Sequence, residues 1–116
     1  MKYDLEERLI KFSSQITELA ESLPEKKSSQ HLSGQLIRSG TSPALVYGEA
    51  QAAESRGDFI HKMKVALKEL RETSICLRII ERRGFTHTGD IQALLRENTE
   101  LIAIFSASIK TASGKT

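Results

Sequence analysis

Tryptophan is absent, aromatic residues make up only 5% of the chain, and there is a single cysteine, Cys76. One cysteine excludes a disulfide within the chain and any cysteine-based metal cage, and it fits a reducing compartment. With so few aromatics, Leu, Ile and Ala must supply the core, which suits helices packing on helices better than a sheet. Two prolines and seven glycines in 116 residues leave long stretches unbroken. No apolar run approaches the roughly 20 residues that a membrane span needs, and no basic-then-apolar leader opens the chain. A soluble, cytoplasmic protein with no membrane contact is expected. The formal net charge of +2 permits nucleic-acid contact without arguing for it.

What is present is helical periodicity. Leu5, Leu9, Phe12, Ile16, Leu19 and Leu23 are spaced as a narrow heptad stripe ending at Pro24. The pattern predicts helices over residues 4–23, 29–53, 58–83 and 90–111. Ser28 or Ser29 caps the second, Asp58 opens the third, Gly84 stops it, and Thr88-Gly89-Asp90 opens the fourth. Residues 1–112 then form one domain, with a polar tail at 113–116. Short connections between four long helices predict an all-α, antiparallel up-down-up-down four-helix bundle.

Two helices carry more apolar surface than a monomeric bundle needs. Helix three has Val65, Ile75, Cys76 and Ile79 roughly opposite its main stripe, and helix two has Ile37, Ala44, Leu45 and Ala52. One reading is scattered surface apolar residues, which are common. The other is a subunit interface through Ile37, Leu45, Val65, Ile75, Cys76 and Ile79, giving a homo-oligomer.

The segment from Gln35 to Ala53 is the least ordinary. It carries Gly40, Pro43 and Gly48 inside a helix, and its inward stripe reads Leu32, Gln35, Ser39, Ser42, Val46, Glu49, Ala50 and Ala53. Pro43 removes a helical hydrogen bond and is expected to kink the helix near residues 39–42. Glu49 close to a core needs a cation. Arg38 is three turns away on the same helix, so a cation on helix one or three, such as Lys62, is the better partner. Gln35, Arg38, Ser42 and Glu49 read either as structural polar residues fixing register or as a ligand site.

Helix three also bears a basic stripe. Lys64, Lys68, Arg71, Arg78 and Arg82 fall within a wedge of about 80° at 100° per residue. They make either a surface that tracks phosphates or a solvated face pairing with a neighbour's acids. No aromatics interleave to stack bases.

Signatures of catalysis are missing. His31, His61 and His87 are far apart, and no histidine pairs with a carboxylate at metal-ligand spacing. There is no phosphate-cradling glycine loop and no nucleophile elbow. No enzyme activity, cofactor or metal is expected.

The run from Gln35 to Gly84 resembles the small bacterial four-helix bundle proteins named after 23S rRNA intervening sequences. The matching pieces are Arg38-Ser39-Gly40-Thr41-Ser42, Tyr47 with Glu49-Ala50, Ser55-Arg56 with Asp58-Phe59-Ile60, and Val65-Ala66-Leu67-Lys68-Glu69 followed by Glu72-Thr73. The chain departs from that pattern at Pro43, Val46 and Gly48, and it is more basic at Arg71 and Arg78. The resemblance implies a ring-like homo-oligomer, a homopentamer. It also implies similarity to the accessory protein of diversity-generating retroelements, a basic pentamer that works with a reverse transcriptase and nucleic acid. Two functions follow as expectations: an oligomeric scaffold binding RNA or DNA, alone or beside a larger protein partner, or a protein–protein interaction module with no nucleic-acid role.

Overall fold

The computed structural model describes residues 4–86 and 90–114. Its helices are α1 (Leu5–Glu21), α2 (Lys27–Gln51), α3 (Arg56–Arg82) and α4 (Asp90–Ala112), and no strand occurs among the described residues. The Thr88-Gly89 start expected for α4, together with His87 and the last two tail residues, lies outside the described residues.

The ends follow from local chemistry. The Asp4 carboxylate accepts from the Glu7 amide at 3.0 Å to begin α1. Ser29 holds the start of α2, its hydroxyl accepting from the Lys26 amide at 3.1 Å and donating to the Pro24 carbonyl. Ser55, not Asp58, caps α3, accepting from the Asp58 amide at 3.0 Å. α3 stops in a Schellman motif. Gly84 adopts φ 67°, its amide bonds to Glu81, and the Phe85 amide reaches back to Ile80 at 3.3 Å.

Consecutive helices run antiparallel. Ser33 Oγ donates to the Ala20 carbonyl between α1 and α2, and Cys76 lies beside Leu32 while Lys62 lies beside Glu49 between α2 and α3. Arg8 meets Glu97 and Glu100, which returns α4 to α1. The result is a four-helix bundle around Leu9, Phe12, Ile16, Leu36, Met63, Leu70, Leu77, Ile80, Leu101 and Phe105. The α1–α4 seam is the most loosely packed of the four.

α2 packs differently from the expected stripe. Its buried residues are Ser29, Leu36, Ser39, Gly40, Pro43 and Ala50. The inward face is therefore turned by about one residue. Gln35 and Ser42 are only half-buried, and Glu49 is exposed. At Gly40 an added Cβ would stand 2.5 Å from Ile16 Cγ2, so α1 and α2 cross where only glycine fits. The helix continues through Pro43, whose ring is part of the core face.

Candidate nucleic-acid and subunit interface

α3 buries Met63, Ala66, Glu69, Leu70, Thr73, Cys76, Leu77 and Ile80. That choice of inner face fixes the opposite one. Lys64, Lys68, Arg71, Arg78 and Arg82 are all exposed, and none makes an ion pair among the described residues. Ile75 and Ile79 stand among them, both well exposed. The basic stripe and the outer apolar residues, which the sequence suggests as separate features, are therefore one surface. Its C-terminal half holds a shallow hollow of about 300 Å³ lined by Ile75, Arg78, Ile79, Arg82 and Arg83. Arg83 is steadied at the rim, its guanidinium lying 5.1 Å from the centre of the Phe85 ring.

α2 carries two further exposed apolar residues, Ile37 and Leu45, the latter 71% exposed. Val65 is only half-buried. Cys76 does not join this surface. It is turned toward α2 and buried, its thiol 3.5 Å from the Leu32 carbonyl. The sequence groups Cys76 with Ile75 because adjacent residues share a side only coarsely. A 100° step carries Cys76 round to the α2 seam. Burial, reinforced by Glu72, pushes its pKa up to about 11, so the thiol stays protonated.

The polar residues of the α2–α3 seam are mutually satisfied. Arg38 bonds Glu69 at 2.9 Å, Glu72 and the Gln35 side-chain oxygen, the last at 3.0 Å. Burial works against the Arg38 charge, but Glu72 and Glu69 outweigh it and hold its pKa above the ordinary value. Lys62 donates to Glu49 at 2.8 Å, and that bond raises the Lys62 pKa. Deeper in, the Ser39 and Thr73 hydroxyls meet at 2.9 Å, and Thr73 also donates to the Glu69 carbonyl. Gln35, Arg38 and Glu49 thus act within the helix pair, whereas Ser42 makes no side-chain bond there.

Asn98 on α4 was not signalled by any motif. It is fully buried, and its side-chain amide donates to the Leu70 carbonyl. The available signal was a polar residue in the apolar stripe, one turn after Leu94 and just before Leu101.

Chemically, the outer face of α3 can hold anions beside apolar groups. Among the described residues, no group of three or more His, Cys, Asp or Glu is placed to hold a metal ion. No helix among them is long and apolar enough to cross a membrane.

Comparison with known proteins agrees with the architecture. A crystal structure from Bacteroides thetaiotaomicron, of a protein of unknown function from the S23 ribosomal protein family, is 30% identical. It covers 92% of this chain and 99% of its own, with a TM-score of 0.85. No curated protein matches the chain. The family of 23S rRNA-intervening sequence proteins matches residues 1–107, almost the whole bundle. The chain belongs to the 23S rRNA-intervening sequence protein family.

Proposed function

We propose that this protein is a non-enzymatic, cytoplasmic scaffold that assembles as a ring-like homo-oligomer and binds RNA or DNA. One observation carries the reading: five unpaired cations and two exposed isoleucines share the outer face of α3. Exposed isoleucines on α3, with Ile37 and Leu45 also exposed on α2, suit a subunit contact, because a monomer gains nothing by leaving them in water. Lys64, Lys68 and Arg71, about one to three turns nearer the start of α3, remain available for phosphates and are repeated in every subunit.

The nucleic-acid half of the reading is tested by the salt dependence of RNA and DNA binding. Lys64→Glu, Lys68→Glu and Arg71→Glu together should abolish a shift seen at low salt. The three contacts account for a slope of roughly 2 to 3 in the log-log salt plot. Absence of binding at low salt by the unaltered protein overturns it.

A further inference from the structure

We infer that α1 of a second copy docks against the outer face of α3, seating Ile10 in the hollow formed by Ile75, Arg78, Ile79 and Arg82. This rests on the oligomeric reading above and names the surface that each subunit offers its neighbour.

Ile75, Arg78, Ile79 and Arg82 stand at i, i+3, i+4 and i+7. Helix packing places a knob from a facing helix into a hole made by four such residues. Among the described residues nothing fills this hole: its isoleucines are exposed and its arginines carry no ion pair. Its occupant must bring an apolar knob with negative charge beside it.

One place on the bundle has that chemistry. Ile10 is 49% exposed, and it alone among the exposed large hydrophobic residues described lies outside α2 and α3. Glu6 and Glu7 precede it by four and three residues, so they share its side of α1 about one turn away. Both are exposed, and neither makes an ion pair among the described residues. Lys11, about 100° round from Ile10, lines a separate cavity at the α1–α4 seam with Arg8 and Glu97. Seating Ile10 between Ile75 and Ile79 brings Glu6 and Glu7 to Arg78 and Arg82.

The two patches differ and lie on different helices. Such a contact is head-to-tail, and each subunit uses both patches when the ring closes. Other acids of α1, such as Glu18 and Glu21, have no exposed large apolar residue beside them.

Light scattering on single and mixed variants tests the inference. Ile10→Asp and Ile79→Asp alter exposed side chains, and circular dichroism should show both folded. Each alone should fall to the single-chain mass of 12.9 kDa. Mixed together they retain one intact Ile10 patch and one intact Ile79 patch, and should form a two-chain complex that grows no further. In a second arm, Arg78→Glu with Arg82→Glu should dissociate the assembly. Adding Glu6→Arg and Glu7→Arg to the same chain should restore it.

An assembly that survives Ile10→Asp, or a mixture that stays monomeric, overturns this contact while leaving the oligomer standing. An unaltered protein that is itself monomeric overturns both.

Discussion

The side-chain amide of Asn98 on α4 donates to the backbone carbonyl of Leu70 on α3 at 2.9 Å, while its own oxygen is buried without a partner among the described residues. A half-satisfied buried amide opposes folding, because its unpaired oxygen loses water and gains nothing. Asn98→Leu removes that penalty with little change of shape. It should stabilise the fold by about 1 to 2 kcal/mol, read as a rise in the urea midpoint. An unchanged or lower midpoint would mean that the orphan oxygen is hydrated.

Gly40 and Gly34 lie on the same helix and should respond oppositely to alanine. At Gly40 the new Cβ would collide with Ile16, and α1 would have to move outward. Gly40→Ala should cost about 1 to 3 kcal/mol through overpacking. At Gly34 a Cβ meets nothing, so Gly34→Ala should gain up to about 1 kcal/mol from helix propensity. Equal effects in urea unfolding would contradict the α1–α2 crossing described above.

Arg38 and Lys62 both tie α2 to α3, but their acids differ in exposure. The Glu69 side chain is 11% exposed, whereas that of Glu49 is 58% exposed. Removing a cation hurts most where the remaining carboxylate is shielded from water. Arg38→Met should therefore lower the melting temperature more than Lys62→Met. The reverse order would show that Glu69 finds another partner.

Cys76 should resist thiol reagents near neutral pH and react only as the chain opens. Its pKa is raised from an ordinary 9.0 to about 11. Between those values the unfolded chain ionises first. Stability is therefore fully present below about pH 9 and falls as pH rises toward about 11. Rates of labelling and urea midpoints between pH 8 and 11 check this, and Cys76→Ala should lose the pH-dependent component. Rapid labelling at pH 8 would contradict the buried placement.

Legibility in the sequence depended on side-chain size. The stripes of α1 and α4 are built from Leu, Ile and Phe, so their inner faces are plain from spacing. α2 packs with Leu36, Ser39, Gly40, Pro43 and Ala50. Small residues bury well but carry little hydrophobic signal, and the heptad spacing of Gln35, Ser42 and Glu49 drew the expected stripe to the wrong side. Lys62 was nevertheless readable as one candidate for Glu49, because a carboxylate there needs a cation from a neighbouring helix; the structure pairs the two. The start of α3 was read late because Gly57 resembles a breaker, while Ser55 supplies the cap two residues earlier. The outer face of α3 was legible as two separate patterns. Their union at Ile75, Arg78, Ile79 and Arg82 needed the inner face to be fixed first. Ile10 was hidden because a single exposed isoleucine is unremarkable until a complementary hollow is known.

The central claim is that the outer face of α3 is a contact between copies. The solution mass of the unaltered protein by light scattering tests it most directly. A single chain is 12.9 kDa; the expected mass is that of a discrete assembly several times heavier, about fivefold for the ring that the resemblance implies. A mass of one chain across the concentration range would contradict it.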